Sequence, residues 1–274
     1  MTCLKNTLAG TLFCFAVSTF SAAAQTCPSD LETVENGSLT VAVTTFAPYS
    51  FMDANNELSG IDGDIVKAIA EKLCLTVKPL VVDPAAAIQS VMAKRADLTI
   101  GDWYRTAERA KVMAFSDPIY LDSMGIYSST GTSSVEDLVG HTVGTVQGYL
   151  WVPALQTLLG SDLKLYPSSV NLQQDLMAGR IDFAVDGAAT GQLAMSKGEL
   201  GDITVAIAEP DPRVPASIEP AQVGFPMSKE AVRLVAATNE VLAEMKGEGI
   251  IVEILSQYGL DPAIADVGEP RFVE

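Results

Sequence analysis

Gly60-Ile61-Asp62-Gly63-Asp64-Ile65 opens the segment that decides the fold of this chain. Apolar residues recur after it at helical spacing, which predicts a helix over 64–73 with Asp62 as its N-cap. β-favouring runs and a second helical pattern surround this helix and predict strand 39–43, strand 76–82, helix 85–94 and strand 96–100. The resulting β-α-β-α-β order predicts a largely parallel sheet covered by helices.

The same alternation restarts in the second half of the chain. The predicted elements are a capped helical turn at 134–138, strand 141–146, helix 151–159, strand 163–166, helix 172–178, strand 181–185, helix 190–196 and strand 203–208. The proline-rich segment 209–220 interrupts regular structure. A strand over 222–227, a long helix capped by Ser228 and a helix over 250–258 follow. Two successive α/β blocks indicate two lobes of similar construction.

Two motifs carry a resemblance to a known family. The stretch at 60–65 is one, and the other is Thr106-Ala107-Glu108-Arg109-Ala110-Lys111 running into Phe115-Ser116-Asp117-Pro118. In this order and at this distance they resemble the family 3 periplasmic solute-binding proteins, which deliver amino acids and similar polar solutes to ABC importers. Further family positions match at Asn239, Lys246, Gly249, Ile254, Leu255, Tyr258 and Gly259. One departure is Gly63, where the family usually has an apolar residue.

The resemblance implies an α/β fold of the type II periplasmic-binding-protein clamshell. Each lobe is then a mostly parallel sheet flanked by helices, and the chain crosses between the lobes twice, near 121–124 and 217–221. We expect lobe 1 to comprise residues 25–121 plus 222–274 and lobe 2 to comprise residues 122–221. The C-terminal helices should return to lobe 1.

On lobe 1, the resemblance implies that Arg109 clamps the carboxylate of the ligand. A guanidinium suits that role because its planar fork can make two parallel hydrogen bonds. The alternative is a surface arginine paired with Glu108 or Asp117. Phe46 falls where the family places an aromatic ring over the ligand, with core packing as its alternative. Four residues directly after strand 96–100 should also face the ligand, namely Gly101, Asp102, Trp103 and Tyr104.

On lobe 2, the segment Gln147, Gly148, Tyr149 and Leu150 leads from a strand into a helix, and backbone N–H groups at such a helix start favour an anion. Amino-acid binders in the family generally present an aspartate at the position of Gly187. Here the nearest carboxylate, Asp186, comes one residue earlier. We therefore expect Asp102, alone or with Asp186, to bind the ligand's ammonium or another cationic group. The alternative is that Asp102 caps a turn.

The N-terminal segment, the net charge and the cysteines indicate the cellular compartment and the class of partner. Residues 1–24 show the positive start, apolar core and small-residue end of a cleaved export signal, so we expect a soluble mature protein in the periplasm. A net charge of −17 argues against a nucleic-acid partner. Cys27 and Cys74 remain after cleavage, and an oxidising compartment predicts a disulfide between them, with two independent buried thiols as the alternative.

The predicted function is the substrate-binding component of an ABC importer. It would capture an amino acid or a related small carboxylate or amine solute, work with a membrane permease and act as a monomer. The sequence predicts no catalytic residue, cofactor or metal, and the single histidine, His141, is expected to be solvated. The alternative is a cyclohexadienyl dehydratase that acts on prephenate or arogenate, with Asp102 as its acid. A detached sensor module is the third possibility.

Overall fold

The computed structural model describes residues 27, 28 and 30–273. The predicted export signal at 1–24 lies outside the described residues. Cys27 and Cys74 are joined by a disulfide, and their Cα atoms are 5.6 Å apart. This bond ties the start of the described chain to a residue just after the first helix. In residues 27, 28 and 30–273, no helix combines the length and apolar character needed to cross a membrane.

The first half of the chain alternates short strands with helices. Its elements are β1 (Ser38–Val43), β2 (Phe51–Met52), β3 (Leu58–Ser59), α1 (Ile61–Lys72), β4 (Thr76–Val81), α2 (Pro84–Met92), β5 (Leu98–Ile100), α3 (Ala107–Ala110), β6 (Ala114–Phe115), β7 (Tyr120–Asp122) and β8 (Met124–Ser128). The predicted strand and helix order of this half is confirmed. The sequence pattern did not predict the short strands β2, β3, β6, β7 and β8.

The second half repeats the alternation. After a 3-10 turn at Val135–Leu138 come β9 (Val143–Val146), α4 (Val152–Leu159), β10 (Leu163–Tyr166), α5 (Ser169–Met177), β11 (Phe183–Gly187), α6 (Ala188–Ser196), β12 (Thr204–Ile207), β13 (Ala221–Val223), β14 (Pro226–Met227), α7 (Val232–Gly247) and α8 (Ile250–Gln257). Every predicted element of this half is present, although most boundaries shift by one to four residues.

The strands form two five-stranded sheets with equivalent orders, β4-β1-β5-β14-β6 and β10-β9-β11-β8-β12. In the first sheet, β14 runs antiparallel to β5 and β6, while β1 pairs in parallel with β4 and β5. In the second sheet, β8 runs antiparallel to β11 and β12, while β9 pairs in parallel with β10 and β11. Each sheet therefore has a single strand of opposite direction. The predicted mostly parallel sheets are confirmed.

The core of the first sheet follows from the apolar pattern of its central strand and its covering helix. Leu39, Val41 and Val43 in β1 are fully buried. Ile65 and Ile69 in α1 are also fully buried, and they join the same hydrophobic cluster. Strands buried on both faces are expected to be continuously apolar, as residues 41–43 of β1 are, because helices cover both sides of such a sheet.

The two sheets are linked by an antiparallel pair of strands. β7 pairs with β13, with Tyr120 opposite Val223 and Asp122 opposite Ala221. The chain continues from β7 directly into β8 of the second sheet and from β13 directly into β14 of the first sheet. Each crossing therefore supplies the one antiparallel strand of the sheet that it enters. The two predicted crossings are confirmed.

Two predicted helix caps are wrong. Helix α1 begins at Ile61 with Gly60 at the N-cap position, where φ is 101°, so Asp62 lies inside the first turn. Helix α7 begins at Val232 with Ala231 at the N-cap position. Ser228 instead accepts a hydrogen bond from the Glu230 amide in the turn that precedes the helix. In both regions tertiary contacts, not local capping, set where the helix starts.

The C-terminal helices return to the first sheet and pack on α1. Tyr258 donates a hydrogen bond of 2.7 Å to Asp64 and accepts one of 2.9 Å from the Gly60 amide. Asn239 accepts a hydrogen bond of 2.8 Å from the Asp117 amide. Motif residues more than 100 positions apart in sequence are thus direct partners. These contacts position the start of α1 and the segment that follows Arg109.

Candidate ligand-binding site

A cavity of about 850 Å³ lies between the two sheets. Ten of the eleven residues predicted to face a ligand line it, namely Phe46, Gly101, Asp102, Trp103, Tyr104, Arg109, Gln147, Gly148, Tyr149 and Leu150. The eleventh, Asp186, is not in the wall. The cavity meets the carboxyl ends of the central parallel strands of both sheets, where α/β folds place their ligands.

Arg109 is a partly buried residue of the cavity wall. Its NH1 group donates a hydrogen bond of 2.9 Å to the Tyr104 carbonyl, and its guanidinium carbon lies 4.9 Å from the centre of the Trp103 ring. Neither predicted alternative partner holds it, since Glu108 pairs with Lys111 and no Arg109–Asp117 ion pair forms among the described residues. Burial lowers the pKa of Arg109 from its ordinary value. The arginine remains a cation with donors free to face the cavity.

A single turn of helix presents Arg109. Thr106 caps α3, and its side chain accepts a hydrogen bond of 3.2 Å from the Arg109 amide. The segment before the cap is anchored to the hinge, because the Arg105 amide donates to the Gln222 carbonyl at 2.9 Å. Arg109 is therefore positioned through contacts on the N-terminal side of α3. A guanidinium that is already oriented loses less entropy when it binds a carboxylate.

The loop after β5 is shaped by close contacts. Asp62 is fully buried, and one carboxylate oxygen accepts hydrogen bonds of 2.9 Å from the amides of Gly101 and Asp102. Its other oxygen accepts a 2.7 Å hydrogen bond from Tyr120. Gly101 has a φ of +126°, and a Cβ atom there would lie 1.9 Å from Thr44 Oγ1. Only glycine fits at this position.

Asp102 extends from this loop with a φ of 58°, a left-handed conformation that aspartate tolerates. Among the described residues, its buried Oδ1 atom has no hydrogen-bond partner. Burial raises the pKa of the Asp102 carboxyl well above its usual range, and the neighbouring carboxyl groups of Asp122 and Asp62 raise it further. Asp102 is thus a buried carboxyl group with acceptor capacity left over.

Aromatic rings from both lobes close around the cavity. The Phe46 ring lies 6.4 Å from that of Tyr149, and the Tyr104 ring lies 6.3 Å from that of Trp151 in an edge-on arrangement. Trp151 is buried and donates a hydrogen bond of 2.8 Å to Thr145. These contacts cross between the sheets, so the two lobes are closed on one another. Such aromatic faces can pack on apolar or cationic parts of a ligand.

On the second lobe, the helix starts one residue later than predicted. Helix α4 begins at Val152, with Trp151 at its N-cap position. The Tyr149 amide donates to the Val146 carbonyl at 3.4 Å, within a turn that contains Gly148 at a φ of 84°. The backbone therefore turns tightly before the helix begins. Tyr149 contributes a ring to the cavity, and its amide serves the turn.

A family model described as bacterial extracellular solute-binding proteins, family 3, matches residues 39–261. The chain belongs to this family. The lysine/arginine/ornithine-binding periplasmic protein of Escherichia coli is 25% identical over 238 residues, which covers 78% of this chain and 84% of that protein. The region that the family model matches, residues 39–261, includes both sheets and every residue of the cavity wall discussed above.

Solved structures that resemble this chain are also structures of amino-acid-binding proteins. A mutant of the arginine-binding protein of T. maritima is 27% identical, with a TM-score of 0.69 over 81% of this chain and 95% of that one. The binding protein AbpA of Streptococcus pneumoniae, solved with L-arginine, is 25% identical, with a TM-score of 0.71 over 81% and 94%. The predicted type II clamshell is thereby confirmed.

Asp186 and Asp122 both lie behind the cavity wall, and Asp122 is the one that accepts a hydrogen bond from a cavity-lining side chain. Asp186 of the binding protein is fully buried beyond the wall; its Oδ1 accepts a 2.8 Å hydrogen bond from the Gly187 amide, and its Oδ2 has no partner among the described residues. Asp122, on the hinge strand β7, accepts a 2.6 Å hydrogen bond from the hydroxyl group of Tyr104, which lines the cavity. The sequence offered no local signal for Asp122, because its role arises only where the hinge meets the loop after β5.

Proposed function

We propose that this protein is the periplasmic substrate-binding component of an ABC importer and that it captures an amino acid, or a related solute with a carboxylate and a cationic group. The lobes, with boundaries near residues 121 and 222, close on the solute, and the closed form docks on a membrane permease. Arg109 binds the carboxylate. Phe46, Trp103, Tyr104 and Tyr149 enclose the rest of the ligand.

The observation that carries this proposal is the placement of Arg109 inside a cavity between two closed lobes. Its guanidinium is held by the Tyr104 carbonyl and the Trp103 ring, neither of which neutralises its charge. The nearby Asp102 carboxyl raises the pKa of Arg109 against burial, but no ion pair holds this partly buried cation among the described residues, so an anion that reaches it is stabilising. A ligand carboxylate offers the charge and the paired acceptors that fit a guanidinium.

The relatives support the amino-acid class. The similar proteins from E. coli, T. maritima and S. pneumoniae are a lysine/arginine/ornithine binder, an arginine binder and a protein solved with L-arginine. Each is named for, or contains, an amino acid with a cationic side chain. The acidic residues near this cavity suit a ligand of the same charge pattern, and they are the reason to begin with basic amino acids.

The test is a thermal-shift screen followed by titration calorimetry. Protein refolded from denaturant, to remove any retained solute, is screened with L-arginine, L-lysine, L-histidine, L-glutamine and quaternary amines. A binder raises the melting temperature by mass action, and calorimetry then measures its affinity. Arg109→Ala should abolish the shift, whereas the exposed Arg180→Ala should keep it. A ligand that binds Arg109→Ala as tightly as the parent protein would contradict the assigned clamp.

The dehydratase alternative finds no support among these relatives, which are binding proteins. The same purified protein tests it directly. Incubation with prephenate or arogenate should leave both compounds unchanged, as judged by their ultraviolet spectra. Turnover that disappears in Asp102→Asn would establish the enzyme instead.

A further inference from the structure

A polar niche lies beside Gly187, in the wall of the cavity. A Cβ atom at Gly187 would lie 3.0 Å from Asp122 Oδ2 and 3.6 Å from Thr190 Oγ1, so the missing side chain leaves a space bordered by a carboxyl group and a hydroxyl group. Thr190 is buried, and among the described residues its hydroxyl has no hydrogen-bond partner. Gly187 and Thr190 both line the cavity. A ligand group that enters this space meets oxygen atoms.

Asp102 faces the same region and is linked to Asp122. The two buried carboxyl groups repel one another, and after burial the Asp122 charge is the largest cause that raises the pKa of Asp102, so a proton on Asp102 relieves the repulsion. The Tyr104 hydroxyl donates to Asp122 and therefore favours ionised Asp122 with protonated Asp102. Two carboxyl groups this close in a buried setting cannot both hold a charge without a cation between them. We call the group Asp102, Asp122, Gly187 and Thr190 the cation niche.

We propose that the cation niche receives the ligand's ammonium or guanidinium group, and that this group enters in exchange for the proton that Asp102 carries beside Asp122 in the ligand-free protein. The proposal rests on the proposed function and names the subsite for its cationic end. The proton leaves to solvent, and both carboxyl groups are ionised around the bound cation. Capture of a cationic ligand thereby releases a proton.

The surrounding groups are compatible with this exchange. The other acidic and basic groups that face the pair are Asp62 on α1, Arg109 on α3, Asp186 on β11 and the phenols of Tyr49, Tyr104, Tyr120, Tyr127 and Tyr149. Burial raises the pKa of each phenol well above its usual range, so these rings stay neutral. Asp62 is already occupied by two backbone amides and Tyr120. Arg109 interacts with the Asp102 charge but forms no ion pair with either carboxyl group among the described residues, so a ligand cation can become their direct partner.

The first experiment requires no ligand. The side-chain carboxyl carbons of aspartate are followed by NMR in the refolded protein from about pH 4 to pH 8, with Asp102→Asn and Asp122→Asn used for assignment. The proposal expects the Asp102 carbon to remain protonated at neutral pH, and it expects the midpoint of its titration to move to lower pH in Asp122→Asn, which removes the neighbouring charge. Exposed Asp202→Asn is the matched control and should not affect it. If both carbons titrate in the range of exposed aspartates, the exchange is refuted.

The second experiment counts protons. Calorimetric titration with L-arginine in phosphate and in Tris buffer, which differ in ionisation enthalpy, gives the number of protons released. We expect about one proton for the parent protein, and close to none for Asp102→Asn, because asparagine carries no ionisable proton at that position. Binding with no proton release in the parent protein would overturn the exchange. If none of the screened ligands binds, the proposed function fails, while the NMR result still decides the proton on Asp102.

Gly187→Ala tests the niche without altering any charge. The backbone at Gly187 has a φ of −58°, which alanine adopts freely, so the added methyl group acts only by filling the space. We expect the affinity for L-arginine to fall by about tenfold or more, because a displaced charge partner is left unpaired. Gly247→Ala is the matched control, since a Cβ there meets nothing within 4 Å. Equal affinity in Gly187→Ala and the parent protein would place the cation elsewhere.

Discussion

Replacing Asp186 with asparagine isolates the cost of a charge buried beyond the cavity wall. Burial raises the pKa of Asp186 from 3.8 to about 6. A group with a raised folded-state pKa contributes stability that is complete below its unfolded pKa and is lost as pH rises through the folded value. At about 1.4 kcal/mol per pH unit, the interval from 3.8 to 6 is equivalent to about 3 kcal/mol. Asparagine avoids this loss, and its oxygen can still accept from the Gly187 amide.

The assay is urea unfolding of the ligand-free, disulfide-intact protein at about pH 4.5 and about pH 7. We compare the free energies of unfolding of Asp186→Asn and the parent protein. The difference between them should grow in favour of Asp186→Asn by about 2 kcal/mol from the lower to the higher pH, because most of the ionisation of folded Asp186 falls between these two values. Asp202→Asn controls for the removal of an exposed charge and should show no such growth. A difference between Asp186→Asn and the parent that stays constant with pH would refute the buried-charge argument.

Three further outcomes are expected. Arg109→Lys keeps the charge but loses the paired hydrogen bonds, so calorimetry should show amino-acid affinity reduced by about 1.5–3 kcal/mol; unchanged affinity would argue against a two-bond clamp. Gly101→Ala should lower the free energy of unfolding by about 2 kcal/mol or more, because its Cβ would collide with Thr44; parent-like urea curves would show that the loop can relax. Cys27→Ser opens a disulfide whose cysteines are 47 residues apart and should cost about 2–4 kcal/mol in the same assay; a parent-like midpoint would mean the bond does not constrain the unfolded chain.

The order of elements could be predicted because it depends on local pattern. The apolar runs at 39–43 and 163–166 are dense enough to identify β1 and β10, and helical spacing identifies α1. The strands β7 and β8 could not be found in this way. They cross between the lobes at Asp122 and Met124, and their pairing partners lie about 60 to 100 residues later in the chain. A strand defined by distant partners leaves little periodicity of its own.

The candidate site was predicted unevenly for a related reason. Residues that follow a recognisable strand or belong to a motif, such as Asp102 and Arg109, could be placed on the cavity from the sequence. Asp186 also follows the expected strand, yet it is fully buried and does not line the cavity. Asp62 reads as a helix cap from its neighbours, but its carboxylate instead holds the amides of the loop after β5. Local rules cannot account for partners 40 residues away.

The sequence by itself determined the α/β alternation, the family and the arginine that faces the cavity, because each is written in residues close together along the chain. Only the tertiary structure decided which carboxyl groups meet. Asp102 and Asp122 come from a loop and a hinge strand, and the space beside Asp122 exists because residue 187 has no side chain. Buried charges interact through space and respond to how little water surrounds them. That environment is set by the packed lobes and by no single segment of the chain.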